Sequence, residues 1–361
     1  MTSTDTPRRA LYVSAFLPDE FAPHAGGQAA FQHRLDLERA GYEVTSLICT
    51  TEPTRAQSAL PRTSVFRQSR FAALGGYVAN LLSGRARWFQ AWPLLDTRAN
   101  IAFETVLRRE LQEGSYDLVF ADFTQVMPPV VRALAKLRQR PVSRGCAHDL
   151  YVQKMLRSNS LSARCLTGAV VRAEHGLLRS FDEVVTLSNK DRTLAVQLYD
   201  LQNVSVRPWT PPRWISTVDR ASGHVQAAEL LFFANFSRVE NAEAATWLLE
   251  CAWPVIQRSV PMARLVLGGA GSDQVQLPDG ATGVRRAGFI ENPGALFESC
   301  AFAVAPLALG AGVKFKVLEA LACGVTVVGT PVALEGIERG PLTVEVDRDR
   351  FADRVIKQLT A

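Results

Sequence analysis

Strand-like and helix-like patterns of apolar residues alternate along the first half of the chain. A β-rich run at 10–16 precedes a loop at 24–28, apolar residues at helical spacing over 29–41, and an alternating strand pattern at 42–50. A further buried strand is predicted at 116–123. Because strands that alternate with helices usually pair side by side in one direction, this order predicts a parallel α/β sheet.

The same alternation starts again after a proline-rich stretch at 207–224. The later strand patterns lie at 229–236, 263–271, 299–306 and 325–330, and a long helical pattern lies at 241–257. We therefore predict two α/β domains, 1–206 and 225–361, joined by a linker at 207–224. Parallel sheets bind ligands beyond the carboxyl ends of their strands, so we expect the site in the cleft between the domains.

Composition narrows the class of protein. The chain has 361 residues, is 47% hydrophobic and 21% charged, and carries a net charge of +5. This balance is ordinary for a globular protein, and we expect no nucleic-acid partner. No apolar stretch is long enough for a membrane-spanning helix and the N-terminus has no secretory pattern, which predicts a cytoplasmic protein. The cysteines lack the spacing of a zinc site, so we expect no metal.

The stretch at 310–319 has the composition of an anion site. Gly310 and Gly312 permit tight backbone turns after a strand, and a helix is predicted from about Val313. Free N–H groups at a helix start bind anions, and Lys314 in the first turn adds a charge suited to phosphate. The sequence therefore predicts that this loop binds a phosphate-bearing ligand.

Glu319 lies off the apolar face of the same predicted helix. Its carboxylate can accept hydrogen bonds from two hydroxyls of a sugar. Alternatively, it can pair with Lys316, three residues earlier, on a solvated face. The residues alone leave these two interpretations open.

Three weaker candidates lie at other strand ends. Gly26 and Gly27 precede a helix without the full dinucleotide-binding spacing, and Arg238 stands at the start of another helix. His148 and the neighbouring Asp149 follow a strand, where they form either a polar site or a partly buried histidine with satisfied hydrogen bonds. No P-loop, hydrolase elbow or zinc-protease motif occurs, which argues against those chemistries.

The run "GAGVKFKVLEALACGVTVVGTPVALEGI" resembles the donor-binding signature of retaining GT-B glycosyltransferases of the family 4 type, in particular a bacterial subgroup with the pattern GxGxKxKxLEA. The likeness extends to "LLFFANFSRVENAEAATWLLECAWPVIQ", "GGQAAFQHRLDLERAGYEVTSL" and "FDEVVTLSNKDR". It is strong over 230–337, moderate over 10–50 and 175–195, and poor over 51–110.

The resemblance implies two Rossmann-like domains facing each other across a cleft, the first binding an acceptor and the second a nucleotide-sugar donor. It places Arg238 and Lys314 on the diphosphate and Glu319 on the ribose. The remaining donor contacts that it implies are the loop residues Gly310, Ala311, Gly312 and Val313, the backbone of Phe289 and Ile290 near the base, and Gly26 and Gly27 near the phosphate or the transferred sugar. His148 would orient sugar hydroxyls. No cofactor or metal is expected, and the donor would be a UDP-sugar, with a GDP-sugar as the alternative.

Ala311 departs from the family, which usually carries the first of two glutamates there, although the GAGVK subgroup shares the loss. The missing carboxylate leaves the sugar open. It also supports a rival interpretation, a catalytically silent nucleotide-sugar-binding or scaffold subunit. A nucleotide-sugar epimerase on the same fold is the other alternative, because fold alone does not determine the reaction.

The acceptor side is the least readable part of the chain. Residues 51–110 contain many arginines and aromatics, and we expect helices there. Within this region, 60–92 mixes both residue types and suggests peripheral contact with the inner membrane face, serving a lipid-linked or polysaccharide acceptor. The alternative is a helical wall around a soluble acceptor with exposed arginines. The acceptor itself is an unidentified hydroxyl compound.

Overall fold

The computed structural model of the chain describes residues 7–20, 22, 24–51, 60–82, 95, 97–98, 100–158, 161–221 and 225–360. Contacts divide the chain into two compact units, one built mainly from residues up to Pro208 and the other from Trp209 onwards. Each unit is a sheet of parallel strands covered by helices. None of the helices in the described ranges has the length and apolarity needed to cross a bilayer.

The first unit holds, within the described residues, a seven-stranded parallel sheet in the order β3-β2-β1-β4-β5-β6-β7. Its strands are β1 Arg8–Ser14, β2 Tyr42–Thr50, β3 Thr63–Arg67, β4 Leu118–Asp122, β5 Val142–Ala147, β6 Glu183–Thr186 and β7 Val204–Val206. Its helices are α1 Ala25–Arg39, α2 Arg70–Leu82, α3 Ile101–Glu113, α4 Met127–Leu134, α5 Tyr151–Arg157, α6 Leu161–Leu178 and α7 Asn189–Tyr199. The central strands β1 and β4 are almost wholly buried, as expected of a parallel sheet covered on both faces.

The second unit holds a six-stranded parallel sheet in its described residues, in the order β10-β9-β8-β11-β12-β13. Its strands are β8 Gln226–Phe233, β9 Arg264–Gly268, β10 Val284–Gly288, β11 Cys300–Ala305, β12 Val327–Gly329 and β13 Thr343–Glu345. Its helices are α8 Val239–Trp247, α9 Trp253–Ser259, α10 Gly294–Ser299, α11 Phe315–Ala322 and α12 Phe351–Leu359.

In each sheet the strand order reverses once, beside the first strand of the unit. The chain builds outward from β1 to β3 and then crosses back to β4, and it builds from β8 to β10 and crosses back to β11. The loops that follow the two central strands therefore leave in opposite directions and open a crevice, which is where such sheets bind ligands. We call these places the first switch point, between β1 and β4, and the second switch point, between β8 and β11.

Three elements differ from the sequence-based expectations. Residues 25–28 form the first turn of α1 rather than a loop before it. The helical pattern at 241–257 is divided into α8 and α9 by a π turn at Leu248–Ala252, because Pro254 at the start of α9 has no N–H for a regular helix. In the region expected to be helical, Thr63–Arg67 is an edge strand paired with β2.

Part of the proline-rich segment packs on the core of the second unit. A one-turn helix at Arg213–Thr217 places Trp214 and Ile215 in the core of the second unit, where Trp214 stacks on Phe297. The segment is thus anchored by apolar packing along part of its length.

Candidate functional site

The loop from 306 to 314 leaves β11 at the second switch point. Gly310 and Gly312 have φ values of 105° and 67°, a left-handed region that side-chain-bearing residues rarely adopt. A Cβ atom on Gly310 would lie 3.6 Å from Cε of Lys314 and 3.8 Å from Cγ of Glu240. The two glycines therefore bring the bare backbone of this loop beside charged side chains from two neighbouring strand ends.

Lys314 is the residue immediately before α11, which starts at Phe315, one or two residues later than predicted. Its Nζ donates to the carbonyl oxygen of Gly312 at 2.6 Å and pairs with Oε1 of Glu335 at 3.0 Å. Both partners of this ion pair are nearly buried. The ammonium is thus held at the helix start, where a phosphate would also meet free backbone N–H groups.

Arg238 immediately precedes α8, on the loop that follows β8. Its guanidinium is 56% exposed and donates from Nε to Oε1 of Glu240 at 2.7 Å. Burial opposes the ionisation of Glu240, but the positive charges of Arg238 and Lys316 outweigh it and lower the pKa of this carboxyl. Arg238 and Lys314 follow adjacent strands, so the fold brings the two predicted diphosphate contacts to one edge of the sheet.

Glu319 lies one turn into α11 and is only 5% exposed, so it does not lie on a solvated face. Burial raises the pKa of its carboxyl to about 7, although the charge of Lys316 opposes the rise. Lys316 donates from Nζ to Oδ1 of Asn241 and lies 5.6 Å above the ring of Phe232. Its pKa is lowered to about 7 by burial and by the neighbouring charge of Lys314.

The other predicted donor contacts occupy different places. Ala311 and Val313 are half-buried in the loop before α11, and Val313 packs against the core. Phe289 and Ile290 follow β10, two strands away from β8. Phe289 is 53% exposed, whereas Ile290 packs on the core, so an aromatic face lies at this end of the sheet.

Gly26 and Gly27 lie in the first turn of α1, beyond the end of β1. A Cβ atom on Gly26 would lie 3.0 Å from the Phe16 ring, so a side chain at this position would require the ring to move. The carbonyl oxygen of Gly27 accepts from the backbone N–H of Asp19 at 3.2 Å. These glycines close the loop after β1 against the start of the helix.

His148 follows β5 and belongs to a cluster at the first switch point. Its Nε2 lies 2.8 Å from Oδ1 of Asp122, the last residue of β4, and its ring stacks on Phe123 with centroids 3.7 Å apart. Asp149, the residue that follows His148, forms an ion pair with Lys154 at 2.6 Å. The carboxylate that His148 contacts lies on the neighbouring strand β4.

Asp122 also contacts His33 from α1 and Tyr12 from β1. His33 Nδ1 lies 3.0 Å from both carboxylate oxygens, and the Tyr12 hydroxyl donates to Oδ2. Burial opposes the ionisation of Asp122, but the two imidazoles hold its pKa below the usual range. The two imidazoles, this carboxylate and the thiol of Cys146 are ligand types that metals use. Their four ligand atoms lie within 4.8 Å of one another.

Sequence reasoning missed several residues of these two sites, among them Asp122, His33, Glu335 and Lys316. Asp122 and His33 are far apart in the chain, and only the strand order brings them to His148. Glu335 lies in the "EG" that ends the quoted signature, but the pattern did not reveal its pairing with Lys314. The sequence suggested only a solvent-facing pairing of Lys316 with Glu319. Nothing in the spacing of Lys314 and Lys316 predicts that the second lysine is buried.

Comparison with known proteins supports the same assignment. Residues 227–361 match the family described as glycosyl transferases group 1. No curated protein matches the chain by sequence at a significant level.

Solved structures with a similar fold span nearly the whole chain. They include sucrose-phosphate synthase from Thermosynechococcus elongatus, with 14% identity, 98% of this chain and 89% of that chain covered, and a TM-score of 0.65. An E. coli trehalose-6-phosphate protein bound with UDP-2-fluoro glucose has 13% identity, coverage of 98% and 91%, and a TM-score of 0.63. Anabaena HepE in complex with UDP and glucose has 16% identity, coverage of 98% and 89%, and a TM-score of 0.60.

The predicted two-domain GT-B fold is confirmed by the two parallel sheets and by these structural neighbours. The prediction of a transferase enzyme is also confirmed, because residues 227–361 match the family of group 1 glycosyl transferases. The domain and the fold support glycosyl transfer from a nucleotide sugar. The stereochemistry, the need for a metal, the acceptor and the role of each site residue stay predictions.

Proposed function

We propose that this protein transfers a sugar, with retention of configuration and without a metal, from a nucleotide-diphosphate sugar to a hydroxyl acceptor. A UDP-sugar is the first candidate donor and a GDP-sugar the second. The second unit binds the donor and the first unit the acceptor. The proposal rests on the second switch point. There, Arg238 and Lys314 stand at the helix starts of two adjacent strand–loop–helix units.

In the proposed reaction, the bond between the anomeric carbon and the phosphate oxygen breaks while the acceptor oxygen attacks from the same face. The proton of the acceptor hydroxyl passes to the leaving phosphate oxygen. What needs stabilisation is the negative charge that develops on the diphosphate, and Lys314, Arg238 and the start of α11 supply it. Because these groups are positively polarised before the ligand arrives, the protein itself can compensate the leaving charge.

Glu319 fits the proposed contact with a ribose. It is buried, and no hydrogen bond to its carboxylate is found among the described residues, so both oxygens can accept hydroxyls. Phe289, exposed at the end of β10, offers an aromatic face to a base. His148 orients sugar hydroxyls, while Ala311 leaves room where related enzymes carry a carboxylate.

A panel of nucleotides tests the donor class. Thermal midpoints would be recorded with UDP, GDP, ADP and dTDP, because a ligand that binds only the folded state raises the midpoint. We expect UDP to give the largest shift. If none of the four moves the midpoint, the nucleotide-sugar proposal is wrong.

Turnover then separates the enzyme from the silent binding subunit. UDP-glucose would be incubated with a glycan extract, and proton NMR would report the anomeric configuration of the product. We expect an axial product from the axial donor and the same rate in EDTA. Binding of UDP with neither hydrolysis nor transfer favours the binding-subunit alternative, whereas an inverted product contradicts retention.

We further propose that α2 docks on an anionic membrane surface. Phe71, Leu74, Val78 and Leu82 recur at helical spacing on one face of this helix, and all four are exposed, Phe71 by 88% and Leu82 by 85%. In sequence, 53–95 has no acidic residue but contains Arg55, Arg62, Arg67, Arg70, Arg85 and Arg87. An apolar stripe within a purely basic segment matches the chemistry of anionic lipid rather than that of an acceptor wall.

Co-sedimentation with vesicles tests this surface. Part of the 60–92 segment of the sequence-based hypothesis lies outside the described residues, including Arg85, Arg87, Trp88, Phe89 and Trp92. The main variant therefore uses Phe71→Ser with Leu82→Ser. We expect salt-sensitive pelleting with phosphatidylserine vesicles and at least a fivefold loss in this variant. Met262→Ser, which removes an exposed apolar side chain from the second unit, is the matched control. No pelleting, or equal pelleting by the variant and the control, would contradict membrane docking.

A further inference from the structure

Asp122 is the hub of the cluster at the first switch point. It is fully buried at the end of β4, and its two oxygens meet side chains from β1, from α1 and from the residue after β5. Three of these partners are Tyr12, His33 and His148. The proposed function gives no role to Asp122, Tyr12 or His33.

The protons in this cluster can be assigned from the pKa directions. Burial and the neighbouring carboxylate raise the pKa of Tyr12, so its hydroxyl keeps its proton and donates. Burial lowers the pKa of His33, so this imidazole is neutral and donates through Nδ1. The pKa of Asp122 is below its usual range, so the carboxylate only accepts. Its contact with His148 therefore requires a proton on Nε2.

A second contact fixes the plane of the His148 ring. Phe123 has a φ of 77°, a conformation rare for a bulky residue, and its ring lies nearly parallel to the imidazole at an interplanar angle of 15°. The imidazole is thus held at one edge by Asp122 and on one face by Phe123. Its side chain is 15% exposed whereas Asp122 is fully covered, and the described residues show no hydrogen bond to the other ring nitrogen, Nδ1.

We infer that Asp122 is a positioning residue which, with His33 and Tyr12, fixes His148 in the Nε2–H tautomer and presents its Nδ1 as a hydrogen-bond acceptor. The ligand that fits a bare Nδ1 is a hydroxyl group that donates its proton. That this hydroxyl belongs to a sugar rests on the proposed function; the tautomer does not. The role of Asp122 is thus to choose which nitrogen of His148 faces the ligand.

The contacts in the cluster favour this assignment over a metal site. The imidazole-to-carboxylate distances of 2.8 and 3.0 Å are those of hydrogen bonds. Ligand atoms about 2.0–2.3 Å from a tetrahedral zinc ion stand further apart from each other than this. Cys146 keeps its proton because burial and Asp122 raise the pKa of its thiol.

Nitrogen NMR of histidine-labelled protein tests the tautomer directly. The chain has five histidines, so signals can be assigned with His148→Gln and His33→Gln. At pH 8 we expect His148 to show a protonated Nε2 and a bare Nδ1. We expect Asp122→Asn to shift His148 toward the other tautomer, because the amide group can donate where the carboxylate could only accept. Asp182→Asn, which alters a carboxylate bonded to Ser143 in the same sheet, is the matched control and leaves His148 unchanged.

Two results would overturn the inference. One is a His148 signal whose tautomer is the same in the wild type and in Asp122→Asn. The other is about one zinc ion per chain in the purified protein, lost in His33→Gln, which would make the cluster a metal site. Circular dichroism of Asp122→Asn checks that the variant is folded, and Asp122→Glu provides a second variant that keeps the carboxylate.

Kinetics connect the tautomer to the reaction. For UDP-glucose hydrolysis we expect Asp122→Asn to lower kcat by roughly ten- to a hundredfold with KM within about threefold, since His148, which Asp122 positions, meets the sugar and not the nucleotide. Asp122→Glu recovers part of the rate. A loss confined to KM, with kcat unchanged, contradicts the positioning role. If no nucleotide sugar is turned over, the proposed function fails, while the NMR result still decides the tautomer.

Discussion

The two switch points of this protein are built on the same strand topology but carry opposite electrostatic designs. At the second, two cations each pair with a carboxylate: Arg238 with Glu240, and Lys314 with Glu335. At the first, a single carboxylate, Asp122, is surrounded by hydrogen-bond partners from Tyr12, His33 and His148. Topology thus sets where a ligand binds, whereas the residues that end the strands decide whether the crevice suits a charged or a neutral group.

This difference predicts that the two sites bind different chemical groups of the substrates. An anionic ligand can replace a glutamate beside Lys314, because one counter-ion is exchanged for another at little cost in desolvation. At the first switch point the carboxylate of Asp122 accepts hydrogen bonds from Tyr12, His33 and His148, an arrangement that suits the orientation of hydroxyls. Variants at the two sites should therefore fail in different ways.

The largest expected effect is at Lys314. Lys314→Ala removes a charge-assisted contact worth roughly 1.5–3 kcal/mol, so UDP affinity and kcat/KM should fall at least tenfold. Isothermal titration with UDP and donor turnover measure the two losses. His148→Gln should lower turnover while leaving UDP affinity within about twofold, and Lys357→Ala, at an exposed site of α12, should change neither. Full activity of Lys314→Ala would invalidate the assignment of the donor site.

A tenfold effect is also expected at Glu319. If its carboxylate accepts two ribose hydroxyls, Glu319→Gln weakens UDP binding by roughly tenfold, because one charged hydrogen bond becomes neutral. Comparing UDP with dUDP, which lacks the 2′-hydroxyl, isolates the contact. The wild type should prefer UDP, and the variant should prefer it less. An unchanged preference would place the ribose elsewhere.

A smaller effect, of opposite sign, is expected at Glu335. Glu335→Gln removes the counter-ion that a diphosphate must replace, so UDP should bind roughly two- to fivefold more tightly, as expected for an ion pair worth about 0.5–1 kcal/mol. Glu345→Gln, which alters an exposed carboxylate paired with Arg339, serves as the control. Weaker binding of UDP by Glu335→Gln would show that this carboxylate holds Lys314 in place and does not compete with the ligand.

The smallest effect concerns stability and pH. Burial raises the pKa of Glu319 from 4.5 to about 7, so the folded protein holds a proton that the unfolded chain releases in this range. The free energy of unfolding of the wild type should therefore fall, relative to Glu319→Gln, as the pH rises from about 4.5 to about 7. A difference of about 1 kcal/mol would move the thermal midpoint by about 2–4 °C. Parallel curves for the two proteins would contradict a raised pKa.

The parallel sheets could be predicted from the sequence because buried parallel strands form short apolar runs between helical patterns. Loop 306–314 could also be predicted, since its glycines and its lysine lie within five residues of one another. The limits of the helices were harder to predict. For example, α1 starts at Ala25, and its Gly26 lies close to the Phe16 ring, an approach between separate segments that no local pattern reveals.

The cluster at Asp122 could not be predicted, for a physical reason. Its members come from positions 12, 33, 122, 146 and 148, and no local spacing relates the first three. Parallel pairing of β1, β4 and β5 brings them together only after the register of the sheet is set. The pairing of Lys314 with Glu335 could not be predicted for the same reason, because the chain passes through β12 before it reaches Glu335.

The stack of Phe123 on His148 gives the protein a built-in spectroscopic reporter. Protons above the face of an aromatic ring are magnetically shielded, so the carbon-bound protons of this imidazole should resonate at unusually high field. Any ligand that tilts the ring away from Phe123 would move these signals by an amount that depends on distance. The first switch point can therefore be titrated with unlabelled sugars one at a time, before any product has been identified.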